Sequence, residues 1–196
     1  MRPQIIFGEA LGSNMNAIPA LGVYAALLRQ RGEPLHFPGG PAFTSEAVDA
    51  DLLGRALKWA ATAPAAANET FNVTNGDVFS LRHLWPAIAD AFGMEVGDDR
   101  PSSLAATTPG CQDEWAHIVE RFGLCAPADL GAFVGQSFIY ADAILGFAAT
   151  EAPAPSLVST IKIRQAGFGE CVDTEDMFRR LIGRFQSIGL LPPRRW

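Results

Sequence analysis

The run Gln4-Ile5-Ile6-Phe7-Gly8, followed by Ser13-Asn14-Met15-Asn16, decides how the rest of the chain is read. Three consecutive large apolar residues ended by glycine suit a strand buried on both faces, as in the interior of a parallel sheet. The polar stretch then breaks the run, and Asn16 is placed to cap a helix with apolar positions at Leu21, Ala25 and Leu28. Gly32 stands where such a helix would take a left-handed terminal residue. Strand, polar turn and helix together open an α/β unit. Their place in the chain is odd, because a strand covered on both faces needs neighbours on both edges and only Met1-Arg2-Pro3 precedes it.

Outward from this start the pattern continues. Leu35-His36-Phe37 reads as a short strand stopped by the loop Pro38-Gly39-Gly40-Pro41. A helix is expected from Ser45-Glu46, with Val48, Leu52, Leu53, Ala56, Leu57 and Ala60 on one face, ending near Pro64. Thr70 to Val73 is the next strand, and Asn75-Gly76-Asp77 turns the chain. Ser80 is expected to cap a helix through Leu81, Leu84, Trp85, Ile88 and Phe92, stopped by Gly93 and kinked at Pro86. Asp98 to Pro109 reads as a linker. Beyond it come a helix carrying Trp115, Ile118, Val119 and Phe122, an apolar helix over 130–148, a strand from Leu157 to Ile163, and a last helix capped by Asp173. The expectation is α/β, strand–helix alternation in front and mostly helices behind, divided as 1–97 and 98–196.

Composition narrows the function classes. The chain has 196 residues, 48% hydrophobic and 18% charged, with net charge -6. That much apolar residue argues for a packed core rather than disorder. An acidic chain with only two lysines, Lys58 and Lys162, is poorly built to neutralise phosphates, so no nucleic-acid partner is expected. The most apolar long stretch, Ala132 to Ala149, is interrupted by Gln136 and Asp142 and reads as a buried helix rather than a membrane span. Cys111, Cys125 and Cys171 lack the spacing of a disulfide framework or a zinc ribbon, which suits a reducing, cytoplasmic setting.

The residues supply little chemistry of their own. Gly167-Phe168-Gly169 lacks the third glycine of a dinucleotide loop and follows the wrong kind of segment. No Walker loop and no nucleophile elbow occur. Cys111 and His117 do not have metal-ligand spacing, so no metal site is expected. Neither Tyr24, followed at the fourth position by Leu28, nor Tyr140, followed by Ile144, has the lysine that would lower a phenol's pKa for proton transfer. No catalytic residue is nominated.

Several stretches taken together do carry a resemblance. Arg2-Pro3, Ile6-Phe7-Gly8 and Ser13-Asn14-Met15-Asn16 come first. Val23-Tyr24-Ala25-Ala26 and Pro34-Leu35-His36-Phe37-Pro38-Gly39 follow. Phe71-Asn72-Val73-Thr74-Asn75-Gly76-Asp77-Val78-Phe79 then leads into Leu84-Trp85-Pro86. The tail carries Ser159 with Lys162, Gly167-Phe168, Asp173-Thr174 and Leu191-Pro192. In this order they resemble the C-terminal half of an extended short-chain dehydrogenase/reductase, of the progesterone 5β-reductase and iridoid-synthase-like branch.

The resemblance implies the end of a doubly wound NAD(P)-binding Rossmann sheet, its last two strands, joined to a mostly helical substrate domain. Ile5 to Phe7 resembles the family's sixth strand and Phe71 to Val73 its seventh. The family's glycine-rich loop and catalytic Tyr-x-x-x-Lys have no counterpart in this sequence. By resemblance the cofactor is NADP(H), with Pro3, Ile5, Ile6, Ser13 and Met15 beside it. Asn14, Asn16 and Phe168 are the implied substrate contacts, although Asn14 stands where the plant enzymes commonly have methionine. The expected ligand is a small carbonyl-conjugated molecule. The expected macromolecular partner is a separate N-terminal half or a second copy of the chain. A non-catalytic binding or interaction module derived from the same family is the alternative.

Overall fold

A computed structural model describes residues 1–196 as an α/β protein in which short parallel strand pairs lie against a large helical body. The elements in order are β1 (Arg2–Pro3), β2 (Ile5–Phe7), α1 (Ala17–Gln30), β3 (Leu35–Phe37), β4 (Ala47–Asp49) and α2 (Ala50–Thr62). They continue with β5 (Asn72–Val73), α3 (Leu81–Phe92), β6 (Val96–Asp99), α4 (Leu104–Thr107), α5 (Gln112–Phe122) and α6 (Leu130–Val134). The chain closes with α7 (Ser137–Ile144), α8 (Ile161–Gln165) and α9 (Thr174–Ser187).

All three strand pairs are parallel, as the α/β reading requires. β1 lies beside β5 with Arg2 opposite Asn72, β2 beside β4 with Ile5 opposite Ala47, and β3 beside β6 with Leu35 opposite Val96. The Arg2 N–H donates to the Phe71 carbonyl at 2.7 Å and the Gln4 N–H to that of Val73 at 3.4 Å. Alternate residues of a strand turn their polar backbone to opposite neighbours, so Pro3 faces the open edge of β1. Having no N–H, proline leaves no donor unpaired there.

The helix α1 is capped as expected, Asn16 Oδ1 accepting the Ile18 N–H at 3.2 Å. It is buried on nearly every side from Ala17 to Leu28, the mark of a central helix. Around it lies a core of 36 buried residues, including Phe7, Trp85, Trp115, Phe133, Phe178 and Phe185. A smaller cluster, with Val48, Leu52, Phe71, Ile163 and Phe168, fills the space between α2, β5 and α8.

Five expectations need correction. Ala47 to Asp49 is a strand, and the helix begins at Ala50, because Asp49 rather than Ser45 accepts the first N–H groups, those of Asp51 and Leu52. The supposed linker holds the end of β6, whose backbone is taken up by β3, and the short helix α4. The apolar stretch 130–148 is two helices broken at Gly135. Leu157 to Ile163 pairs with no strand, and its second half turns into α8. Ser80 precedes α3 but its hydroxyl makes no capping bond and is buried without a partner. Pro86 lies within α3, on its exposed side.

Candidate functional site

The loop after β2 has no regular structure, yet it is tied to the rest of the fold at several points. The Asn16 side-chain amide donates to the carbonyls of Gly8 at 2.9 Å and Ala10 at 3.1 Å. Glu9 pairs with Arg184 of α9 at 2.8 Å. The Gly12 N–H donates to the Phe133 carbonyl at 2.9 Å. Ser137, fully buried at the start of α7, donates its hydroxyl to the Ser13 carbonyl at 2.6 Å and accepts the Asn16 N–H at 3.0 Å. A loop tied down this way is ordered before any ligand arrives, which lowers the entropy that binding must offset.

This loop, the strand below it and α7 enclose an open cleft of about 530 Å³. Its floor is Gln4, Ile5, Ile6 and Gly8, its rim Glu9, Ala10, Ser13, Met15 and Asn16, and Ala50 and Tyr140 close the sides. The size suits a small ligand, and the walls are mainly apolar with few polar groups. Five sequence-nominated residues therefore meet in one place: Ile5, Ile6, Ser13, Met15 and Asn16. Met15 is 63% exposed at the mouth and its N–H donates to Ser13 Oγ at 3.2 Å. Asn16 lines the cleft with both its amide N–H groups and its carbonyl oxygen already engaged in the fold.

The other three nominated residues lie elsewhere. Pro3 is on the open edge of β1 and is not part of the lining. Asn14 is exposed on the turn and also outside it. Phe168 is buried in the smaller core cluster, its ring 5.7 Å from that of Trp59. Glycine followed by an aromatic reads in sequence as pocket lining; in the fold Phe168 packs beneath α2 and lines a separate small pocket with Val73, Ile163 and Arg164. Of the lining residues that sequence reasoning missed, Tyr140 is the one with a distinctive side-chain chemistry far from the opening loop. It sits more than a hundred positions from the opening loop in an apolar run with no motif around it.

A second cleft of about 540 Å³ lies between the Phe43 loop, the start of α3 and the start of α9. Its acidic groups already have partners. Asp77 accepts from the N–H and hydroxyl of Thr174 at 2.9 and 2.6 Å, Asp173 caps α9, and Glu175 pairs with Arg179 at 3.0 Å. No three His, Cys, Asp or Glu side chains group closely enough to hold a metal ion. No helix is long and apolar enough to cross a membrane.

Known proteins similar to the chain include enzymes. It is 40% identical over 152 residues to an (S)-8-oxocitronellyl enol synthase of Camptotheca acuminata, covering 74% of this chain and 38% of that enzyme. The (S)-8-oxocitronellyl enol synthase of Antirrhinum majus is 32% identical over 197 residues, covering 97% of this chain and 49% of the enzyme. A 3-oxo-Δ4,5-steroid 5β-reductase of Arabidopsis thaliana is 37% identical over 126 residues, or 61% of this chain and 32% of the enzyme. The chain thus spans about half or less of the length of these relatives. No family model matches it.

Proposed function

The chain belongs with the (S)-8-oxocitronellyl enol synthases and 3-oxo-steroid 5β-reductases, and from that premise we propose that its cleft is one side of the active site of an NADPH-dependent reductase for carbonyl-conjugated small molecules. The supporting observation is the meeting of Ile5, Ile6, Ser13, Met15 and Asn16 around one small, largely apolar cleft. Ile5 and Ile6 offer a flat apolar floor for a ring, the Ser13 hydroxyl a donor at its edge, and Asn16 holds the loop in shape. On this view residues 1–97 supply the end of the nucleotide-binding sheet and 98–196 the helical wall over it, with Pro3 beside the cofactor's path.

The residues fit only part of the cofactor. The lining contains no lysine or arginine, and its one charged group, Glu9, is paired with Arg184. A pyrophosphate has no glycine-rich turn or free helix N-terminus to sit on here. Bound NADPH would supply the hydride; this chain supplies walls and an oriented hydroxyl but no Tyr-x-x-x-Lys. The isolated chain is therefore expected to bind NADPH far more weakly than micromolar and to reduce no enone. The same features favour the alternative, a binding module without chemistry. NADPH oxidation in the presence of 2-cyclohexen-1-one, with calorimetric titration of NADPH, tests both statements. Turnover above a buffer control, or a tight NADPH site, overturns the reading of this chain as lacking those parts.

A further inference from the structure

Tyr140 has no assigned role, yet of the groups on this cleft it is the best placed to choose among ligands. Its helix starts at Ser137, whose hydroxyl grips the Ser13–Asn16 loop from both sides. Residues three apart lie on one helix face, so the contacts that anchor Ser137 to the loop also set Tyr140 over the cleft. Of the two tyrosines, Tyr24 donates its hydroxyl to the His36 carbonyl at 3.1 Å, while the Tyr140 hydroxyl makes no hydrogen bond to the chain and is open to solvent. Burial pushes the Tyr140 phenol above its ordinary range, so it keeps its proton at neutral pH and acts as a donor.

We propose that Tyr140 is a specificity-determining residue, donating a hydrogen bond to the carbonyl oxygen of an apolar ligand seated on Ile5, Ile6 and Met15. The assignment holds only if the cleft is the substrate site. An uncharged donor in an apolar cleft favours a neutral oxygen acceptor over a hydrocarbon of the same shape, because a ligand without oxygen leaves the phenol unpaired. With no cation in the lining to stabilise a phenolate, Tyr140 orients the carbonyl rather than surrendering a proton.

The small number of tyrosines makes the test direct. Chain labelled with ¹³C at the tyrosine ζ carbon has two ring signals, assigned by Tyr140→Phe. Titration with 2-cyclohexen-1-one should move the Tyr140 signal and leave that of Tyr24 in place. Cyclohexene, the same ring without oxygen, should move the Ile5 and Ile6 methyl signals but hardly the phenol. Tyr140→Phe should weaken enone binding about three- to tenfold, the effect of one neutral hydrogen bond, and leave cyclohexene binding unchanged. If the enone moves the isoleucine methyls and Tyr140→Phe binds it equally well, the assignment falls while the cleft survives as a binding site. If neither probe moves the methyls, the cleft is no substrate site and both ideas fall.

Discussion

Asn75 shows how much one side chain can hold together. It is fully buried, and its carbonyl oxygen accepts the Asp49 N–H at 2.6 Å while its amide donates to Thr174 Oγ1 at 3.1 Å and to Met177 Sδ at 3.3 Å. Its backbone N–H donates to the Ala47 carbonyl and its own carbonyl accepts from Val172. The end of β5 is thereby joined to β4, to the cap of α2 and to the start of α9. Asp77, two residues on, secures Thr174 a second time. The Asn-Gly-Asp run reads in sequence as a turn; in the fold the chain bends at Gly76, and the Asn75 before it is a buried junction. Asn75→Ala is expected to cost about 3 kcal/mol, since it strands at least two buried polar groups at ~1–3 kcal/mol each. The urea midpoint should fall with no change in slope, and an unchanged midpoint would mean the junction is held by its neighbours alone.

At the scale of elements, the break between α6 and α7 controls the cleft. Gly135 adopts φ 61°, ψ -133°, and a Cβ there would lie 2.7 Å from the backbone of Gly12 and Ser13. Backbone rests on backbone at this point, and only glycine permits it. Gly135→Ala should destabilise by about 1–3 kcal/mol from backbone strain alone, with the clash in addition. The melting temperature should fall by several degrees, at ~2–4 °C per kcal/mol for a chain of this size. Gly183→Ala in α9, where a Cβ meets nothing within 4 Å, should raise it slightly. Equal melting temperatures for the two variants would show that the α6–α7 break is not under steric control.

The same break marks a limit of what sequence could reveal. Periodicity located α3, α5 and α9 because each carries its own apolar face, while α1 is bounded by its Asn16 cap and Gly32. It could not see Gly135, whose conformation is imposed by a loop more than a hundred residues away. Nor could it separate β4 from α2, because the apolar positions of a three-residue strand run on into the helix that follows. The stretch before α8 was misread for another reason. Its backbone is met by the side chains of Gln4, Glu46 and Asn72, which bond to Ser156, Val158 and Ser159 in place of a ladder. In the cleft, the residues named from sequence all come from one contiguous loop and strand. Tyr140 entered only through tertiary packing.

Taken whole, the molecule shows a polarity between its closed helical body and its cleft side. Ile6 is 41% exposed, Leu11 46% and Met15 63%, and all three lie on the cleft or the loop around it. Adjoining them is the edge of β1 that Pro3 faces. Contiguous exposed apolar surface beyond a few hundred Å² commonly marks an interaction face. The relatives devote more than half of their length to sequence that this chain does not match. We therefore expect the chain by itself to self-associate through this face. Burial at ~25 cal/mol per Å² must first offset the ~4–15 kcal/mol that association costs, so a stable complex needs several hundred Å² of this face covered on each partner. Ile6, more exposed than Ile5 and outside the buried core, is the residue to change. Ile6→Lys should lower the mass found by light scattering toward that of one chain and leave the helical circular dichroism unaltered. A wild-type chain that remains monomeric and melts cooperatively at every concentration would show that this face is stable in water uncovered, and that its exposed apolar residues serve the cleft alone.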